Sequence, residues 1–305
     1  MSPGSIPATV IVLTHNEAGN IVPCLQGLRA FAEIIVVDSG STDGTLDLVQ
    51  GRFPHIRVLH HPFQDFGQQR NWALDHACPA HDWILFLDAD ERCTASCAVA
   101  IRNAVASPGD NVGFFLCYRN MFLGRWIRRS TMYPTWQLRL LNKGRVRYVK
   151  EGHGQREVMD GPAGYIDVPY DHFGFGKGIK EWIARHNDYS TNEVELLEAL
   201  GELPVNLAEI FANDRIRRHR TLKRLAARAP LRPFAGFVYL YFIRLGCLDG
   251  YPGFVYCCLR LAHELHIQAK HAELRHARTP LRPAPVENRL SVSTESLDIR
   301  SGGGA

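Results

Sequence analysis

The segment WILFLDADE, residues 83–91, sets five apolar residues directly before three acids, Asp88, Asp90 and Glu91. Such a run predicts a strand buried on both faces. Carboxylates at its end are costly to bury without partners. The flanking sequence repeats the pattern. ATVIVLT (8–14) is a β-branched run closed by HNEAGN, EIIVVDSG (33–40) is a second run ending at Asp38, and IRVLHHP (56–62) is a weaker third. Helical stretches fall between them. IVPCLQGLRAF (21–31) places Ile21, Leu25 and Leu28 near helical spacing, and GSTDGTLDLVQ offers Ser41, Thr42 and Asp43 as caps. GQQRNWALDHA (67–77) and ASCAVAIRNAVA (95–106) read as two more helices. Strands alternating with helices over about 100 residues predict βαβ units and an α/β fold with a mainly parallel sheet.

In such sheets ligands bind beyond the carboxyl ends of the strands. The polar residues collect there: Thr14-His15-Asn16-Glu17, Asp38-Ser39-Gly40-Ser41 and Asp88-Ala89-Asp90-Glu91. Three strands that each end in acids and small polar residues should meet at one rim. An Asp-x-Asp at that rim can hold Mn2+ or Mg2+, which takes oxygen ligands shared between carboxylates and substrate phosphates. It can equally be a pair of turn-forming acids. Asp38 can accept hydrogen bonds from a ribose or a base, or simply close a turn. Arg70, in QQRN, can meet a phosphate or an acid, or form a surface ion pair. SGSTDG (39–44) lacks the lysine of a Walker loop and the spacing of GxGxxG, which excludes both.

The 305 residues are 46% hydrophobic and 22% charged, as expected of an ordinary globular protein. The net charge of +4 is unevenly spread. Arg119 to Lys150 holds nine Lys/Arg and no acid, and Asp214 to Arg232 holds eight against one Asp. Blocks of this kind face anionic partners or solvent. Eight cysteines with no CxxC pair argue against a zinc knuckle. With no signal peptide before Ile6, they are expected to be reduced thiols in a cytoplasmic protein. FAGFVYLYFI (234–243), the longest apolar run, is far short of the roughly 20 residues a spanning helix needs. It follows a cationic stretch, a combination that suits a peripheral anchor on an anionic membrane. A basic helix packed on the core or at a dimer interface is the alternative. No module accompanies the charge that would make nucleic acid a partner. Helices broken near Pro230, Pro233 and Pro252 are expected over 206–270. A disordered Pro-, Ser- and Gly-rich tail is expected over 279–305.

VIVLTHNEAGNI (10–21), IIVVDSGSTDGT (34–45), QQRNWAL (68–74) and WILFLDADE resemble, in order and spacing, the motifs of family 2 glycosyltransferases of the GT-A fold. YRNMFLGRWIRRSTMYPTWQLRLLNKG (118–144), HGQREV (153–158) and LGCLDGYPGFVY (245–256) are similar to bacterial enzymes that build lipopolysaccharide core or related surface glycans. The resemblance implies a GT-A catalytic domain over 6–205, a helical basic extension over 206–278, and inverting transfer from a nucleotide-diphosphate sugar, most simply a UDP-sugar. The acceptor would be a glycan or a lipid-linked glycan at the inner face of the cell membrane. Thr14, Asn16, Glu17, Asp38, Ser41, Arg70 and Asp88 fall on the donor side, and Asp88 and Asp90 match the metal-binding DxD. Glu157 is the first choice for the base, beside Glu151 and His153, with Asp171-His172 a further option. A haloacid dehalogenase-type phosphatase also carries DxD after a strand, but on its first strand. A non-catalytic sugar-nucleotide binder would have no need of an intact DxD.

Overall fold

A computed structural model of the chain describes residues 4–151, 154–202 and 229–278, with isolated positions between 206 and 225. The tail over 279–305, most of the basic stretch before 229 and His153 lie outside the described residues.

The N-terminal half runs β1 (Ile6–Thr14), α1 (Ile21–Gln26), β2 (Phe31–Asp38), α2 (Thr45–Arg52), β3 (Arg57–His60), α3 (Phe66–His76), β4 (Trp83–Asp88), β5 (Glu91–Arg92) and α4 (Ala95–Ala106). β6 (Gly113–Phe122), β7 (Arg125–Trp126), β8 (Trp136–Asn142), β9 (Val146–Glu151), β10 (Gly154–Met159) and β11 (Ala163–His172) follow. One sheet has the order β3-β2-β1-β4-β8-β6-β11-β5, with β7 paired to β6. β3, β2, β1 and β4 are parallel, and β8 runs antiparallel to both β4 and β6. Alternation along the strands feeds two cores. Val10, Val12, Val36, Leu85 and Leu87 face α1 and α4, while Ile11, Ile35, Ile84 and Phe86 face α3 and Tyr148. A strand buried on both sides has no polar face, which is why these segments read as unbroken apolar runs.

Two of the helices start on a side-chain cap, whereas α2 starts at Gly44 with no side-chain cap, so Ser41, Thr42 and Asp43 do not take the cap position expected of them. Asp65 caps α3 by accepting from Gln68 N, and Thr94 caps α4 by accepting from Cys97 N. Glu91, which also precedes α4, does not cap it and is buried instead. β9 and β10 form a separate hairpin. Asn71 of α3 clamps it to the domain by bonding both backbone groups of Tyr148, at 2.8 and 3.0 Å.

The C-terminal part contains α5 (Ile179–Glu202), α6 (Arg232–Val238), a π turn (Tyr239–Ile243), a 3-10 turn (Gly246–Asp249) and α7 (Gly250–Arg278). Pro233 and Pro252 lie in the first turns of α6 and α7. There a missing N–H costs nothing, so these prolines mark helix starts. Lys270 of α7 ties down α5 by donating to Asn187, Ser190 and Thr191 at 2.6–2.9 Å. Asp249 docks these turns on the sheet domain, accepting from Arg129 N, Ser130 N and Ser130 Oγ at 2.7–2.8 Å. No described helix is long and apolar enough to cross a membrane. All eight cysteines are free thiols.

His186 makes the α5–α7 contact sensitive to acid. Its ring stacks on Trp182 with centroids 3.5 Å apart and lies against His263. Burial pushes its pKa down from 6.5 to about 4. The unfolded chain therefore takes up this proton first. The stabilisation is complete above pH 6.5 and is lost as pH falls toward 4. His186→Phe should flatten the fall in thermal midpoint across that window. An unchanged slope in the variant would assign the acid sensitivity elsewhere.

Candidate functional site

The sheet register places the three polar strand ends side by side. Thr14 is paired with Asp38, and Leu13 with Asp88. Two loops above this rim hold one another. Asn16 adopts a left-handed backbone (φ 53°), which asparagine tolerates better than most residues. Its N–H donates to Ser41 Oγ at 2.8 Å, and its Oδ1 accepts from Thr42 N at 2.7 Å. Glu17 N donates to Thr45 Oγ1 and Ala18 N to Asp43 Oδ2. Asp38 is buried and accepts from Gly40 N, Ser41 N and Ser41 Oγ. Gly40 (φ 90°) and Gly44 (φ 84°) supply backbone that other residues resist. Asp38 and Ser41 thus build the loop, and their side chains are occupied within it.

The acids of the DADE turn have two different solutions. Asp88 Oδ2 accepts from Arg139 Nη2 at 3.0 Å, and its Oδ1 lies 3.4 Å from Arg70 Nη2. Glu91 is buried, receives Arg139 Nη2 as well, and accepts from Asp88 N at 2.9 Å. Arg139 is 4% exposed and also donates to Tyr170 Oη at 3.1 Å. Burial works against charge on Asp88, but Arg139 and Arg70 outweigh it and hold the carboxyl below its usual range. Arg139 and Arg70 thus supply Asp88 with positive charge from the protein itself, while for Glu91 burial outweighs Arg139 and pushes its pKa up to about 7. Arg70 is the buried partner of an acid, not a surface pair. Gln155 of β10 receives Arg70 Nη1 at 3.0 Å, while the buried Nε of Arg70 has no hydrogen-bond partner among the described residues.

Asp90 points elsewhere. β5 pairs with the end of β11, setting Glu91 opposite His172, and Phe173 N donates to Asp90 O at 2.8 Å. This brings His172 Nε2 to 3.5 Å from Asp90 Oδ2. Burial opposes a charge on His172, but Asp90, backed by Glu91 and Asp88, raises its pKa. Glu17 faces the same space, paired with Lys177 Nζ at 2.9 Å and bonded by Asn20 Nδ2 at 2.7 Å. Burial raises its pKa against those two partners, and Asp90 adds to the rise. Among the described residues no group of three side chains forms a ready cage for a metal ion. One carboxylate with one imidazole beside it is still a donor set suited to a cation that takes its remaining ligands from substrate oxygens and water.

Glu157 lies on β10 opposite Tyr148, two residues beyond Gln155 on the same face. It makes no hydrogen bond or ion pair with the described residues. Glu151 is described only as backbone at the end of β9. A cavity of about 450 Å³ opens beside His172, between Tyr118 and Asn120 of β6, the 130–135 loop and helices α6 and α7. Arg139, Gln155 and Lys177 were not legible as site residues. Arg139 alone left a signal, as a charge inside the apolar strand WQLRLLN.

The mixed sheet, parallel over β3-β2-β1-β4 with β8 antiparallel beside it and helices following, agrees with the GT-A fold expected from the sequence. Residues 9–159 match the model of glycosyl transferase family 2, and this segment is a domain of that family. The chain is 30% identical over 146 residues to the lipopolysaccharide core biosynthesis glycosyltransferase LpsC of Rhizobium meliloti, a match covering 47% of this chain and 53% of that protein. It is 37% identical over 81 residues to glycosyltransferase SunS of Bacillus subtilis, covering 26% and 19%. The chain thus spans about half the length of the first relative and about a fifth of the second. Among solved structures, mannosyltransferase PcManGT from Pyrobaculum calidifontis, in complex with GDP-Man and Mn2+, overlays with a TM-score of 0.43 at 19% identity, covering 87% of each chain. S. aureus TarS 1–349 overlays with a TM-score of 0.39 at 14% identity, covering 90% of this chain and 92% of that one.

Proposed function

We propose that the protein is an inverting glycosyltransferase. It would move a sugar from a nucleotide-diphosphate sugar, a UDP-sugar in the simplest case, to a hydroxyl of a glycan or lipid-linked acceptor. The relative LpsC, named for lipopolysaccharide core biosynthesis, supports a place in lipopolysaccharide or surface-polysaccharide assembly. A peripheral position on the inner face of the cell membrane would give it access to such an acceptor.

The observation that carries this reading is the division of labour at the β4 end. Asp88 is clamped by arginines, while Asp90 stays free of them beside His172. Thr14 Oγ1 and Arg70 Nε, both buried at this rim, have no hydrogen-bond partner among the described residues, which supports a role for them toward a donor. Asp90 and His172 would hold Mn2+ or Mg2+, which supplies Lewis-acid stabilisation of the charge that develops on a leaving diphosphate. Asp88 and Arg70 fix the turn so that Asp90 keeps its orientation. The 450 Å³ cavity beside His172 would admit the acceptor. In the transfer, the acceptor oxygen bonds to the anomeric carbon, the bond from that carbon to the diphosphate oxygen breaks, and the acceptor proton passes to a base.

Glu157 is our choice for that base, with Glu151 and His153 as the alternatives. Purified protein incubated with Mn2+ and a panel of sugar nucleotides should release a nucleoside diphosphate from one of them. Glu157→Gln should leave donor binding within a few-fold and cut transfer by about 10²–10⁴. Near-normal turnover in that variant would move the role to Glu151 or His153. If no sugar nucleotide binds, the transferase reading fails.

A further inference from the structure

The part of the molecule that the donor site does not use is an exposed apolar edge. The β6–β7 turn carries exposed Leu123, and the loop after β7 carries exposed Met132. Phe242, Ile243 and Leu248 project from the turns between α6 and α7, and Tyr251 from the first turn of α7; Ile243 is 68% and Tyr251 73% exposed. These pieces form one surface. Arg244 Nη2 donates to Thr131 O and Tyr133 O, Asp249 holds the backbone of Arg129 and Ser130, and Arg125 lies against Gly250. Apolar side chains this large, grouped at an edge, are uncommon on a monomer surface without a partner.

The unpaired charge beside them is positive. Arg119 is held by Asp171, Arg232 and Arg260 by Glu264, and Arg244 by backbone carbonyls, which leaves Arg125, Arg128 and Arg129 facing outward in a segment, 112–135, that contains no acid. Asp249 is buried and consumed by the loop it clamps. Arg125, Arg128 and Arg129 are exposed. Arg128 also sits over Trp126 and Tyr133, at 5.3 and 5.6 Å from their ring centroids. Aliphatic and aromatic tips ringed by guanidiniums match the headgroup layer of an anionic bilayer, where apolar tips enter the acyl boundary and cations meet phosphates. A second copy of the same positive edge would meet like charge.

We propose that this edge, formed by the 123–132 segment and the 242–251 turns, docks on an anionic lipid surface. The same docking brings the cavity beside His172 toward that surface, because Met132 belongs both to the edge and to the cavity wall. The surface differs from the apolar run 234–243 read alone, since half of it comes from the sheet domain.

The test is sedimentation of the full chain with vesicles of phosphatidylglycerol and phosphatidylcholine, against phosphatidylcholine alone. It needs neither donor, metal nor acceptor, so its failure is separate from failure of the transferase reading. The protein should pellet with the anionic vesicles only. Leu248→Glu/Tyr251→Glu should weaken partitioning at least about tenfold. Arg128→Ser/Arg129→Ser should weaken it roughly twentyfold. Both variants should keep their nucleotide binding and their thermal midpoint. The proposal is overturned if the wild-type chain stays in solution, or if it pellets equally with neutral vesicles. It is also overturned if Leu248→Glu/Tyr251→Glu still pellets, which would assign binding to the basic stretch before 229. Dimerisation abolished by Leu248→Glu would give the edge to a second copy and likewise overturn it.

Discussion

Arg139→Met is expected to cost about 3–5 kcal/mol of stability, the range for breaking a buried ion pair by removing one partner. For a domain of this size that lowers the thermal midpoint by roughly 10 °C. The reason is charge, not volume. Arg139 is the common partner of Asp88 and Glu91, and methionine fills similar space without the guanidinium. Glu91 is buried and its pKa is already pushed up to about 7 with Arg139 beside it, so it would protonate outright or take in water. Asp88 would keep Arg70 at 3.4 Å. The double variant Arg139→Met/Glu91→Met should therefore recover much of the loss, because a buried pair replaced by apolar residues is often close to neutral. Melting curves of the single and double variants measure this directly. A loss under about 1 kcal/mol in the single variant would show that the arginine is not what balances this strand end.

Asp90→Ala is expected to behave in the opposite way. Its side chain meets only His172 among the described residues, and its structural contact is the backbone carbonyl that receives Phe173 N. Stability should therefore change by less than about 1 kcal/mol, as for substitutions that leave packing and buried networks intact. Transfer should fall by roughly 10²–10³ or more, the scale for removing one group that stabilises developing charge. Asp90→Asn should lose nearly as much, because the amide keeps the shape and not the charge. Kinetics with a donor found in the sugar-nucleotide screen, set beside melting curves, separate the two aspartates. Loss of stability without loss of transfer would exchange their roles.

The two residues also show what the sequence could and could not carry. The parallel half of the sheet was legible, because strands buried on both faces leave unbroken apolar runs with polar ends. The meeting of Thr14, Asp38 and Asp88 at one rim followed from that topology alone. The partners of the acids did not. Arg139 is about fifty positions away on an antiparallel strand, and strand order across β4, β8 and β6 is not written in any local pattern. His172 reaches Asp90 only because the two-residue strand β5 pairs with β11, a contact too short to leave a periodicity. Asp38 reads from its type either as a ligand group or as a turn acid, and in the fold it and Ser41 shape the loop that holds Asn16. A side chain's type gives its chemistry, but which partner satisfies it depends on tertiary pairing.

The most direct test of the account is calorimetric titration of UDP into the protein with Mn2+ and, separately, with EDTA, for the wild-type chain and for Asp90→Ala. The account predicts that wild-type binding tightens by about tenfold or more with the metal, the gain expected from one added charge contact to a diphosphate. Asp90→Ala should bind equally weakly in both buffers. Wild-type binding of the same strength with and without Mn2+ would contradict the assignment of the β4 end as a metal-assisted donor site.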